Sequence, residues 1–140
     1  QNAAARAVSN CRKSDHITPV LKSLHWLKIQ ERIHYKVISL TYNALQFNQP
    51  AYLHDLLSIQ SSSRTRSSDS VTLVRPSNPS YLKITNRSFH HQAPILWNSL
   101  PPSLRQHSLP SSTFPVINLS PHLFHSKLKT YLFHKSFPPD

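Results

Sequence analysis

Residues 29–47, IQERIHYKVISLTYNALQF, decide how the chain is read. Ile29, Ile33, Val37, Leu40, Ala44 and Phe47 recur at spacings of four and three, one stripe of an α-helix. Ile38, Tyr42 and Leu45 widen that stripe, while Glu31, Arg32, Lys36 and Asn43 fall mostly on the other side. A long helix with so broad an apolar face predicts the centre of a core and a mainly α protein.

On its N-terminal side, Asn2 to Val8 is Ala-rich and predicts a short helix. Thr18-Pro19 reads as the entrance to a second. Thr18 suits the N-cap, and Pro19 at the first helical position lacks only an N–H that has no intrahelical partner there. Val20, Leu21, Leu24, Trp26 and Leu27 supply its apolar residues. On the other side, Pro50 opens a shorter helix through Leu53, Leu56 and Leu57, ending near Ile59. Residues 61–70, SSSRTRSSDS, contain six serines and predict a linker too polar to offset the entropy of ordering it.

Beyond the linker proline takes over, with ten of the twelve at or after Pro76. Val71–Val74 and Tyr81–Ile84 predict a short strand pair across Arg75–Ser80. Ser88–Leu100 predicts a helix interrupted at Pro94 and stopped by Pro101-Pro102. Ser120-Pro121 begins a last helix to about Phe137, with Phe124, Leu128, Tyr131 and Leu132 on one side. The expected architecture is mainly α. A small helical bundle occupies 1–60, a Ser/Arg linker 61–70, and an irregular, basic, Pro-rich tail 71–140 carries the strand pair and the C-terminal helix.

Composition narrows the function. The 140 residues include no Gly and no Met, where ordinary usage of ~7% predicts about ten glycines. Glycine otherwise supplies φ > 0 at turns and helix C-caps, so any fold here must turn on Asn, Ser and Pro. Gly-rich phosphate loops, dinucleotide fingerprints, nucleophile elbows and tight primed hairpins are disfavoured. A chain starting at Gln1 without Met is expected to be a piece of something longer.

Sixteen Lys and Arg against five Asp and Glu give a net charge of +11. The acids are Asp15, Glu31, Asp55, Asp69 and Asp140, so residues 70–139 carry none. Such a field favours a polyanion, with nucleic acid ahead of an anionic membrane. Single, scattered carboxylates also argue against acid–base pairs and carboxylate metal sites. No apolar run is long enough for a transmembrane helix, and no signal-peptide pattern opens the chain.

Few residues invite chemistry. His122-x-x-His125 has helical metal-ligand spacing, but no Cys or acid nearby completes a set. His90-His91 has no visible partner, and His16 and His25 read as packing or capping groups. Cys11, beside Arg12 and Lys13, is a lone thiol without an assignable base. The expectation is no catalytic residue, no metal, no cofactor and no small-molecule substrate. Nucleic-acid contact is the more credible chemistry. Arg6, Arg12, Lys13, Lys22 and Lys28 precede the central helix, Arg64 and Arg66 lie in the linker, and Lys127, Lys129 and Lys135 share the last helix. Such cations bind phosphates with salt-sensitive affinity and no sequence reading. Trp26, Tyr35 and Trp97 can stack on bases if exposed, although their apolar spacing favours core packing.

An ordered series of segments goes beyond composition. It starts with Gln1-Asn2-Ala3-Ala4-Ala5-Arg6-Ala7-Val8, Asp15-His16-Ile17-Thr18-Pro19-Val20-Leu21 and Leu24-His25-Trp26-Leu27. Arg32-Ile33, Leu40-Thr41-Tyr42-Asn43-Ala44-Leu45 and Pro50-Ala51-Tyr52-Leu53 follow. Ala93-Pro94-Ile95-Leu96-Trp97-Asn98-Ser99-Leu100-Pro101 and Phe124-His125-Ser126-Lys127-Leu128-Lys129-Thr130-Tyr131-Leu132-Phe133 complete it. Over nearly the whole chain this series resembles the C-terminal tail of LINE-type (non-LTR, jockey-like) retrotransposon reverse transcriptases.

The resemblance implies a helical, basic, non-catalytic portion following the polymerase palm. Its implied partners are template RNA or target DNA, through phosphates, and the missing palm domain, in the nucleus or cytoplasm. No Tyr/Phe-Ala-Asp-Asp motif occurs, so no catalytic residue carries over and no enzyme activity is expected of this chain alone. The family commonly has Gly near Asn10, between Leu45 and Pro50, and just before Arg87, and this chain has none. Pro110–Pro121 also looks expanded. These departures suggest a decayed copy. The competing expectation is a relic, or a helical docking segment, with no activity of its own.

Overall fold

The computed structural model describes residues 1–60, 70–77, 83–107 and 117–139. Its helices are α1 (Asn2–Ser9), α2 (Ile17–Ser23), α3 (Ile29–Phe47), α4 (Ala51–His54), α5 (Lys83–Asn86), α6 (Phe89–Asn98) and α7 (Pro121–Ser136), with a 3₁₀ turn at Pro102–Leu104. The chain is mainly α, as its periodicity predicts. The linker residues 61–69 and the turn residues 78–80 lie outside the described residues.

The central helix has the predicted bounds but turns a different side inward. Ile38, Thr41, Tyr42, Ala44, Leu45 and Gln46 are buried, whereas Ile29, Ile33 and Phe47 are 61, 52 and 51% exposed. The two apolar stripes overlap, and only the one meeting α6 and α7 is covered. Thr41 tolerates burial because its hydroxyl donates to the Val37 carbonyl at 2.8 Å.

The last helix packs antiparallel to α3. Tyr42 meets Phe124, Tyr35 meets Lys129 and Lys28 meets Phe137, so numbers fall along one helix as they climb along the other. Trp97 of α6 is fully buried and its indole N–H donates to the Val71 carbonyl at 3.0 Å. The core thus unites Ile38, Tyr42 and Leu45 with Val71, Leu73, Trp97, Ile117, Phe124, Leu128 and Leu132. Members come from both sides of the linker. A smaller cluster of Ala5, Leu21 and Phe137, with Trp26 and Phe133 against it, seats α1 and α2 on the end of α7.

Several expected boundaries are corrected. His16, not Thr18, is the N-cap residue of α2, which starts at Ile17. Pro19 sits within the first turn, where its missing N–H is equally harmless. The helix after Pro50 ends at His54, because the chain must extend for Ile59 to bridge to Leu73. Pro94 does not interrupt α6, which runs unbroken from Phe89 to Asn98. The ring sacrifices the bond to the His90 carbonyl, and its burial with Ala93 and Trp97 offsets that loss.

Among the described residues the expected strand pair does not form. Leu73 bridges to Ile59 and Ser70 to Gln106, while Ile84 is helical in α5; Tyr81 and Leu82 lie outside the described residues. Side-chain amides take the place of strand partners here. Asn98 accepts from Leu73 N–H and donates to Leu73 C=O, both at 2.9 Å. Gln46 does the same for Ile117, at 2.9 and 3.2 Å. Each amide satisfies both main-chain groups of a buried residue, as a neighbouring strand otherwise does.

Two of the glycine-free turns use Asn, one of the expected residue types. Asn10 and Asn48 cap α1 and α3 in the left-handed region, at φ 56° and 55°. Among the described residues His25 also has positive φ, 55°, a position the expected Asn, Ser and Pro did not anticipate.

Candidate nucleic-acid interface

The His25 turn builds the site. His25 N–H donates to Lys22 C=O at 3.1 Å and Trp26 N–H to Leu21 C=O at 2.9 Å, the paired bonds of a Schellman motif ending α2. Gly is the usual residue at that left-handed position, and His is among the residues that tolerate it best. The motif brings Trp26 onto the cluster that holds Leu21. Gln1 ties the same loop from the other side, donating through its side chain to the Leu27 carbonyl.

A groove opens between this loop, α3 and α7. Its cavity of about 510 Å³ is lined by His25, Trp26, Leu27, Arg32, Tyr35, Lys36 and Lys129. A second hollow of about 370 Å³ shares His25, Leu27 and Lys129 and reaches Phe133. Arg32 and Lys36 stand one turn apart on α3. From α7, Lys129 Nζ lies 5.8 Å from the centre of the Tyr35 ring. The His25 ring lies 5.6 Å from Phe133, and Lys28 Nζ lies 5.3 Å from the centre of Phe137. Among the described residues no carboxylate lines the groove. Among the described residues the ion pair found, His54–Asp55 at 3.8 Å, involves none of these cations. Positive charge and aromatic surface therefore share one concavity.

The cations named from sequence divide into groups. Lys129 lines the groove and Lys28 lies over Phe137 nearby. Arg6 is committed elsewhere: its guanidinium donates to the carbonyls of Arg12 and Asp15, at 2.8 and 2.9 Å, and closes the loop after α1. Arg12 and Lys13 are exposed on that loop, and Lys22 is exposed in the last turn of α2. Lys127 and Lys135 are exposed on α7, Lys127 about 200° round the helix from Lys129. Arg64 and Arg66 lie outside the described residues. Arg32 and Lys36 were legible only as the polar back of α3. A sharper signal was available in the pattern Arg32-x-x-Tyr35-Lys36, an aromatic bracketed by cations.

The remaining candidates have local roles. The His125 ring packs 6.1 Å from Tyr35 and 5.8 Å from Tyr42, with Nδ1 3.4 Å from Ser39 Oγ. Burial and then Lys129 hold its pKa below the ordinary histidine value. Burial and then Lys135 do the same to His34, partly opposed by Glu31. His122 is exposed, and no group of three metal-ligating side chains forms among the described residues. His90 Nδ1 meets the Leu56 carbonyl at 3.0 Å and His91 Nδ1 meets Ser88 Oγ at 3.1 Å. Cys11 Sγ accepts from Ser9 Oγ at 3.2 Å. Trp97 is buried and has no face for a base. Among the described residues no helix is long and apolar enough to cross a membrane.

No protein-family model, curated protein or solved structure matches the chain.

Proposed function

We propose that the chain is the non-catalytic C-terminal tail of a LINE-type retrotransposon reverse transcriptase, and that it holds RNA or DNA by its phosphates. The observation supporting this most directly is the convergence of Arg32, Lys36 and Lys129 on one groove that, among the described residues, no carboxylate lines. Phosphate contacts need positive heads on an accessible surface and carry no sequence information. The ordered segments from Gln1 to Phe133 support the parentage. The reading assigns the chain no polymerase activity alone, since two-metal phosphoryl transfer needs clustered carboxylates and the five acids stand far apart in the sequence.

The test is a titration of the full chain against a labelled RNA at 50 and 200 mM salt. Three phosphate contacts on a single strand predict affinity falling about 20-fold across that range. The triple variant Arg32→Gln, Lys36→Gln, Lys129→Gln is expected to flatten the log–log salt slope by about 2. Salt-independent binding, or an unchanged slope in the triple variant, sinks the assignment.

A further inference from the structure

Trp26 and Tyr35 line the same groove as the three cations, and both are only partly buried. Each ring packs on a hydrophobic cluster. Trp26 is anchored by its main-chain bond to Leu21 and by packing on the Ala5–Leu21–Phe137 cluster. Tyr35 packs against the main core and touches His125 and Lys129 of α7. Aromatic rings fixed in place offer contact at little further entropic cost, and every base has a face that can lie on them. Arg32 adds a guanidinium plane of the kind that also stacks on bases.

Strandedness follows from this arrangement. In a duplex each base face is covered by its neighbours, and only edges and backbone reach a protein. An unpaired base presents its face, while its flanking phosphates can meet Arg32, Lys36 and Lys129. The cavity, about 510 Å³, lies within the range of about 300–1,000 Å³ that holds small ligands. From this we propose that the groove takes an unpaired base of a single-stranded nucleic acid, stacked on Trp26 and Tyr35. The proposal rests on the phosphate-contact reading and goes further by naming the form of nucleic acid and the residues that select it.

The experiment uses the full chain and three probes at 100 mM salt: a 12-nucleotide oligouridylate, an oligothymidylate of the same length, and a 12-base-pair duplex. Intrinsic tryptophan emission and binding affinity are both read. Trp97, buried with its N–H on Val71, supplies a constant background. A single strand is expected to quench Trp26 emission and to bind about tenfold more tightly than the duplex. The tighter of the two single strands identifies RNA or DNA as the source. Trp26→Leu is expected to abolish the quench and weaken single-strand binding about tenfold, erasing the preference for a single strand over the duplex. Salt-dependent binding without quenching and without strand preference overturns the proposal and leaves the phosphate reading intact. Absence of binding to every probe, even at 50 mM salt, overturns both. The wild-type comparison of strand with duplex decides the matter even if Trp26→Leu fails to fold.

Discussion

Tyr42 and Phe124 stack face to face, with ring centroids 4.0 Å apart and planes within 13°, and so join α3 to α7 inside the core. Past the stack, the Tyr42 hydroxyl donates to the Leu119 carbonyl at 2.6 Å, and burial pushes its pKa up, keeping it a donor at neutral pH. Tyr42→Phe keeps the ring and strands the carbonyl, a loss of about 1–2 kcal/mol in urea denaturation. Tyr42→Ala also leaves a cavity and should lose about 3–5 kcal/mol. Equal losses for the two variants contradict the stack as the larger contribution.

The amide clips make a separate prediction. Gln46→Leu leaves the Ile117 N–H and C=O unpaired in the core. The expected loss is about 2–4 kcal/mol, although Leu is the more apolar residue. Asn98→Leu acts on Leu73 in the same way, with a smaller loss because Asn98 is only partly buried. A Gln46→Leu protein as stable as wild type refutes the role of the clip.

The inward face of α3 can be read out by truncation. Ile38 is 2% exposed and Ile33 is 52% exposed, five residues apart on one helix. Ile38→Ala should cost about 2–5 kcal/mol, and Ile33→Ala no more than about 0.5 kcal/mol. Comparable losses at both positions place the core on the wrong stripe.

Acid should destabilise the fold through His34 and His125. Both have native pKa values below the ordinary 6.5, each chiefly through burial. The unfolded chain therefore takes up protons first as pH falls, so stability is full above about pH 6.5 and declines below it. Urea midpoints between pH 7.5 and 5 should fall less steeply for the double variant His34→Gln, His125→Gln than for wild type. Parallel pH dependences rule the two histidines out as the cause.

Two lysines of α7 separate a groove from a diffuse basic surface. Lys129 lines the groove, and Lys127 projects from another side of the same helix. Lys129→Gln is expected to weaken RNA binding severalfold more than Lys127→Gln, at equal change in net charge. Identical effects point to net charge alone.

What could be read from sequence follows from where the physics is local. The bounds of α3 and the start of α7 at Ser120-Pro121 were legible because period, cap and proline act within a few residues. The buried side of α3 was not, since choosing between two overlapping apolar stripes depends on where α6 and α7 lie. The amide clips on Leu73 and Ile117 were illegible for the same reason, Asn98 and Gln46 standing 25 and 71 residues away. Lys129, Trp26 and Tyr35 were candidates from residue type alone. Tyr35 shares α3 with Arg32 and Lys36, and Lys129 reaches them because α7 packs on α3, whereas Trp26 joins them only through a left-handed turn at His25 that no glycine marks.

The shared core has a consequence for how the chain holds together. Ile38, Tyr42 and Leu45 find their partners in Trp97, Ile117 and Phe124, and Gln46 reaches 71 residues ahead to Ile117. Neither side of the linker closes an interior by itself. The two halves stand to each other as subunits of an obligate heterodimer, and the peptide connection supplies an effective concentration in the millimolar range. Separately expressed pieces ending at Gln60 and beginning at Ser70 should therefore fold only when mixed, by fragment complementation.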